Sequence, residues 1–212
     1  MITTEELITV LAADKHVERK VDSYLLCSLL VGTCLVAVVF FAAIGFRDDI
    51  RSALGTGRFL FKFVIVVPLA LLAAGAAFRS ATPLPVFGWW GRLLAIPPIL
   101  LALGALVELA AVPSSLWMTR LIGTNAVNCL TIIPTLGAGP LVMIILALRR
   151  GAPSDPGISG AFAGLAASGI AATFYATNCF DDSPLFVITW YPLATAMLLF
   201  AGYVAGLRYL RW

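Results

Sequence analysis

Cysteine and carboxylate side chains are the groups in this chain whose types and spacing could do chemistry. Cys129 and Cys179 stand in matching settings, Asn128-Cys129 and Asn178-Cys179, and Asp181 and Asp182 follow the second of them. Two thiols at one depth can oxidise to a disulfide if their helix ends face one another. With carboxylates at hand they can instead hold a soft metal ion. Both routes stay open at this stage. Cys27 and Cys34 lie two helical turns apart in one apolar run and are expected to be small packing residues.

Other chemistry is excluded more firmly. No CxxC occurs, so zinc ribbons and thioredoxin-type centres find no support. The only histidine, His16, has no Ser, Asp or Cys partner set around which a catalytic group could form. There is no phosphate-cradling glycine loop and no Glu/His cluster of metal-binding spacing. The chain reads as a non-enzyme with no cofactor. Glu108 is the one acidic residue well inside an apolar run, where a carboxylate is costly and marks a partner or a function. Lys62 and Arg58 share one helical face near the same end, so Glu108 is expected to pair with one of them.

These residues need elements to hold them, and composition says what kind. The chain has 212 residues, 61% hydrophobic and 12% charged, against about 25% charged in an ordinary globular domain. A soluble fold of this size could not hide so much apolar surface. The net charge of +3 is small, and the basic residues flank the apolar runs instead of clustering as on a nucleic-acid surface. No nucleic-acid partner is expected. A bilayer crossing takes roughly 20 apolar residues as a helix. Six segments qualify: Tyr24 to Phe46, Phe59 to Phe78, Leu93 to Val112, Val127 to Leu148, Gly157 to Thr177 and Leu185 to Leu207.

The expected fold is therefore all-α, a bundle of six transmembrane helices (residues 23–212) behind a cytoplasmic tail (residues 1–22). The first run is too long for a signal peptide and should stay as the first anchor. Kinks are expected at Pro68, Pro97 with Pro98, Pro134 with Pro140, and Pro192. The run Gly160-Ala-Phe-Ala-Gly164 is a GxxxG pattern, read here as close packing within a central helix.

Six crossings put both termini on one side, and basic residues indicate which. With the N-terminus inside, nine face the cytoplasm: Lys15, Arg19, Lys20, Arg79, Arg92, Arg149, Arg150, Arg208 and Arg211. Five face out: Arg47, Arg51, Arg58, Lys62 and Arg120. Short loops richer in Lys and Arg stay cytoplasmic, so both termini are placed inside. Parity then puts Cys129, at the start of helix four, and Cys179, after helix five, at the same outer face. The short turn at residues 149–156 makes those helices antiparallel neighbours. The thiols should meet at one depth, exposed where no reducing pool protects them.

The tail carries its own signal. Thr3-Thr-Glu-Glu6 fits a capping box, and Leu7, Val10 and Leu11 fall on one helical stripe, with Ile8 beside them. So short a helix needs a surface to lie on. The tail holds five acidic side chains (Glu5, Glu6, Asp14, Glu18, Asp22) against three basic ones, so an anionic membrane would not attract it. It either docks in a groove of a cytoplasmic protein or packs on the chain's own loops.

Taken together, several stretches resemble a known family. They are Leu7-Ile-Thr-Val-Leu-Ala-Ala-Asp14, Arg58-Phe-Leu-Phe-Lys62, Gly123-Thr-Asn125 with Cys129-Leu and Ile133-Pro134, and Ala147-Leu-Arg-Arg-Gly-Ala-Pro153. Asn178-Cys-Phe-Asp-Asp-Ser-Pro-Leu-Phe186 with Trp190-Tyr191 completes the set. The sequence is similar, nearly end to end, to the NrsF-type negative regulators of extracytoplasmic-function sigma factors, six-span proteins of the bacterial inner membrane. The resemblance implies a membrane-embedded anti-sigma factor that holds its sigma factor until an outside signal releases it. It also implies that Cys129 and Cys179 belong to the sensing side.

Soluble anti-sigma factors of the zinc type use a His-x-x-x-Cys-x-x-Cys domain, which His16 cannot form here. The sigma-binding surface must be small, and Leu7, Ile8, Val10 and Leu11 are its candidates. The rival reading is a small transporter or channel built around Glu108, Lys62 and the proline-broken helices. Against it, these polar residues gather at the outer end, whereas transporter sites lie near the midplane.

Overall fold

A computed structural model describes residues 3–13, 17–82 and 90–211; His16 lies outside them. Among the described residues every regular element is helical, and six helices are long and apolar enough to cross a membrane. The first helix, α1 (Thr4–Ala13), starts with the expected capping box. Thr3 N–H donates to Glu6 Oε2 at 3.0 Å and Glu6 N–H to Thr3 Oγ1 at 3.3 Å. The described side chains of α1, Ile8 among them, are exposed. Those of Leu7, Val10 and Leu11 lie outside the described residues.

The long helix α2 (Val17–Ala43) contains the first span, Ser23–Ala43. It stops short of the expected Phe46 because Ile44 N–H and Gly45 N–H both close onto the Phe40 carbonyl, at 2.8 and 2.9 Å. A four-residue turn, α3 (Ile50–Ala53), leads to α4 (Gly57–Ser80), capped by Thr56 Oγ1, which accepts from Phe59 N–H.

The third span is divided. A single turn, α5 (Trp90–Leu93), precedes α6 (Ile96–Ala111), and Pro97 with Pro98 sits in the first turn of α6. The expected kink at these prolines is thus a helix start, where a missing N–H costs nothing. A 3₁₀ turn (Ser114–Leu116) and α7 (Trp117–Ile122) lead into α8 (Ala126–Leu148), which carries Pro134 and Pro140 inside it. Last come α9 (Pro156–Ala176) and α10 (Pro184–Tyr209). Asp155 caps α9 by accepting from Ile158 N–H, and Ser183 caps α10 by accepting from Leu185 N–H.

The Gly/Ala-rich α9 lies at the centre, packed by α10, α4 and α8. A Cβ on Gly160 would fall 2.1 Å from the Gly202 carbonyl oxygen, and one on Gly206 2.1 Å from that of Pro156. The GxxxG pattern is therefore spent inside the chain, on the α9–α10 seam. Large apolar side chains such as Leu71, Leu103, Val107 and Phe200 face outward, the arrangement a lipid solvent asks for.

At one end of the bundle the loops are stitched together. Arg47 N–H donates to the Thr177 carbonyl at 3.3 Å, and the Trp190 indole N–H to that of Leu121 at 2.9 Å. At the opposite end Ala152 N–H donates to the Ala81 carbonyl at 3.0 Å.

Candidate functional site

The stitched end holds Arg58, Lys62, Glu108, Cys129, Cys179, Asp181 and Asp182 of the residues that the spacing had singled out. Its hub is the segment 177–183 between α9 and α10. Lys62 rises from the first turns of α4, fully buried, and places Nζ 2.9 Å from the Cys179 carbonyl and 2.6 Å from Asp182 Oδ1. Arg47, also buried, reaches the same segment from the α2–α3 loop. Its Nη1 donates to Asp182 at 2.9 Å and to the Cys179 carbonyl at 3.2 Å, while Nε and Nη2 grip Asp49. The guanidinium also lies 4.6 Å from the Phe180 ring centroid, within cation–π range. Hydrogen bonding to Asp49, helped by Asp182, pushes the Arg47 guanidinium above its ordinary range, and Arg47 in turn lowers Asp49.

Asp181 faces the other way. Its Oδ2 accepts from Thr124 N–H at 2.9 Å, Asn125 N–H at 2.8 Å and the Asn125 side chain at 3.0 Å. The turn into α8 can come this close because residue 123 is glycine. It takes φ 61°, and a Cβ there would stand 2.8 Å from the Asp181 carboxyl carbon.

Glu108 forms a second knot. Arg120 Nη1 donates to Oε1 at 2.6 Å, and Arg58 Nη2 lies 3.3 Å from the same oxygen. Oε2 accepts from Ser183 Oγ at 2.6 Å and Leu185 N–H at 3.2 Å. A carboxylate at the start of α10 also suits the positive end of that helix. Of the two partners expected for Glu108, Arg58 is present and Lys62 is not: the lysine goes to Asp182. Arg58 is half exposed, so its pair is worth little, and the short contacts to Arg120 and Ser183 do most of the holding.

Cys129 and Cys179 both lie at this end, in one buried cluster, and both are free thiols. The expectation that they would be exposed fails: both are 0% accessible. Arg47, Lys62 and the Asp181 contacts close the loop over them. The Cys179 thiol lies 3.8 Å from the Asp181 carbonyl, and burial pushes it above its ordinary range while the Lys62 ammonium opposes that shift. Cys27 and Cys34 are the exposed pair, on the outside of α2.

The carboxylates expected to help a metal are already engaged, Asp182 with two cations and Asp181 with Thr124 and Asn125. Among the described residues no group of three or more Cys, Asp, Glu or His side chains is arranged to hold a metal ion.

Sequence reasoning missed Arg47, Arg120 and Ser183 as partners, and Tyr175 and Tyr191 as neighbours of the thiols. Tyr175 donates to the Asn125 carbonyl at 3.4 Å, and its ring centroid lies 6.2 Å from that of Tyr191. Arg47 stands beside Asp48 and Asp49, a local charge pattern that could have marked it; the two tyrosines carry no such signal in their spacing.

The comparisons with known proteins agree with the resemblance. A family model described as NrsF, negative regulator of sigma F, matches residues 11–212. The chain is 26% identical over 215 residues to a probable anti-sigma-F factor NrsF of Azospira oryzae, covering 99% of each chain. It is 36% identical over 85 residues to the anti-sigma-F factor NrsF of Caulobacter vibrioides, covering 40% of each. No solved structure matches it.

Proposed function

The chain belongs to the NrsF family of negative regulators of sigma F, and from that premise we propose a membrane-embedded anti-sigma factor that sequesters an extracytoplasmic-function sigma factor. It sits in the bacterial inner membrane with both termini cytoplasmic. The sigma factor is held through α1, and an outer signal acting on Cys129 and Cys179 releases it. The role is regulatory, without catalysis.

Beside the family, the observation that carries this reading is the exposure of α1. Its capping box is formed, and the side chains of Thr4, Glu5, Glu6, Ile8 and Thr9 are all exposed. A helix of ten residues gains too little from its own hydrogen bonds to persist for nothing. A groove on a cytoplasmic partner supplies what it lacks. The acidic first turn of α1 suits a basic rim on that groove.

At the other end, the closed loop over the thiols is the element a signal would bias. A signal shifts an equilibrium only through different affinity for two states. Here one state has the 177–183 segment pinned by Lys62, Arg47 and Asp181, and in the other it is released. Movement is passed to the cytoplasmic side by α8 and α10, whose internal prolines bring no N–H to the helical ladder.

The test is capture of the sigma factor from solubilised membranes. The full chain should co-purify with it, and a chain lacking residues 1–13 should insert normally and capture none. Equal capture by the shortened chain would move the binding surface elsewhere. No capture by either would sink the proposal.

A further inference from the structure

At the bundle end opposite the stitched loops, α8 and α10 leave a groove between them. Leu141, Val142, Ile145, Leu146 and Arg149 recur at helical spacing, so they form one stripe on α8. Ala205 and Tyr209, one turn apart on α10, make the facing wall. Alanine at 205 is too short to close the gap, and a cavity of about 300 Å³ remains. A cavity of about 150 Å³ takes benzene, so this one holds roughly twice that bulk of hydrocarbon. It opens to the side of the bundle, where Val142, Leu146 and Tyr209 are exposed.

Length and charge say what fills it. From Leu141 to Arg149 the helix rises about 12 Å, against about 15 Å for one leaflet, half of the hydrocarbon core. The groove therefore runs through most of one leaflet, and it is apolar until its last turn, where Arg149 stands. Arg208 is beside it on α10, its guanidinium 5.9 Å from the Tyr209 ring centroid. Both arginines are exposed, and neither guanidinium has an ion pair or hydrogen bond to a described residue. The carbonyls of Ile145, Ala147 and Leu148 near the end of α8 are already taken by the backbone N–H groups of Arg149, Arg150 and Gly151. Arg149 is thus not spent on capping its own helix, whereas Arg150 stacks on Tyr24 of α2 at 3.8 Å. Two unpaired guanidinium groups at the mouth of an apolar slot match a phosphate at the end of an acyl chain, because the planar fork of arginine takes phosphate bidentately. A soluble anion gains nothing from the apolar walls, and a zwitterionic lipid brings its own cation against the two arginines.

The geometry points to a binding site for an anionic phospholipid, with one acyl chain between α8 and α10 and the headgroup phosphate between Arg149 and Arg208. Seated there, the chain sets how closely the ends of the two helices approach. These are the helices proposed to carry movement away from the thiols. A lipid that binds one spacing better than the other biases the equilibrium between them. The site itself does not rest on that reading, since it needs neither a sigma factor nor a signal.

The experiment uses the full chain in phosphatidylcholine vesicles with no sigma factor present, so its outcome is independent of sigma capture. Two probes carry the same photoreactive acyl chain at trace level, one on phosphatidylglycerol and one on phosphatidylcholine. Crosslinked peptides are read by mass spectrometry. In the wild-type chain the phosphatidylglycerol probe should label residues 141–149 and 205–209 about fivefold or more above the other probe, the attraction expected of one or two arginines. Arg149→Gln with Arg208→Gln should remove that preference. Arg92→Gln, which takes a charge from an exposed position at the same end, should keep it. Ala205→Phe should cut labelling of the groove several-fold by filling it. Val142→Trp, from the other wall, should do the same if the first variant folds poorly. Equal labelling by the two probes in the wild-type chain, labelling untouched by both filling variants, or a preference lost as fully in Arg92→Gln as in the paired change overturns the proposal.

Discussion

Lys62 and Asp182 meet at 2.6 Å with the lysine fully buried, and the same ammonium holds the Cys179 carbonyl at 2.9 Å. One side chain of α4 thus fixes both the acid and the backbone of the segment that covers the thiols. Coulomb attraction alone is a poor reason to bury a lysine, since desolvation offsets much of it. The contact to the carbonyl explains what the lysine adds: it holds a backbone group that no helix supplies with a partner.

Removing that lysine should be costly. Lys62→Met should lower stability by about 3–5 kcal/mol, nearer the lower figure because Arg47 still holds Asp182. The double change with Asp182→Asn should recover part of the loss. Thermal unfolding in detergent measures both, and an unchanged midpoint in the single variant would show the clasp to be idle.

Glu108 gives a contrast within one knot. Glu108→Gln loses the charge facing Arg120 and should cost about 1.5–3 kcal/mol, the worth of a charge-assisted hydrogen bond. Arg58→Ala, at a half-exposed position, should cost less than about 1 kcal/mol. If the two variants lower the unfolding midpoint equally, Glu108 is not held as described. Proton or ion flux through reconstituted wild-type vesicles that vanishes in Glu108→Gln would favour the transporter reading.

On the tail, Leu7→Asp or Leu11→Asp should abolish sigma capture and leave insertion intact. The motivation is the apolar stripe of α1 on an otherwise exposed helix. Pull-down from solubilised membranes decides it. Undiminished capture by both variants would separate α1 from the binding surface.

For the thiols, Cys129→Ser and Cys179→Ser should each lock the protein in its sigma-holding state, so a thiol-reactive stress no longer induces a sigma-dependent reporter. Cys27→Ser and Cys34→Ser should respond like wild type, although these two are the exposed pair. Accessibility alone would predict the reverse order, so the reporter separates a built site from simple exposure.

Six spans, an all-helical fold, the capping box at Thr3 and Glu6, and the family were legible in the residues alone, because hydropathy and capping are set within a few neighbours along the chain. The common end of Cys129 and Cys179 was legible too, since parity of crossings needs only a count. Which acid met which base was not. Arg58 and Lys62 share a helical face, and nothing along the chain says that the deeper one turns to Asp182 while the outer one goes with Arg120 to Glu108. That choice depends on how α4 and α6 rotate about their axes and on where the 177–183 loop passes. The same holds for exposure: Cys34 looked interior by hydropathy and Cys179 exterior by position in a loop. The packing of loops across the bundle end buried Cys179 and the outward-turned face of α2 exposed Cys34, because a membrane protein turns its apolar surface outward and buries its polar joints.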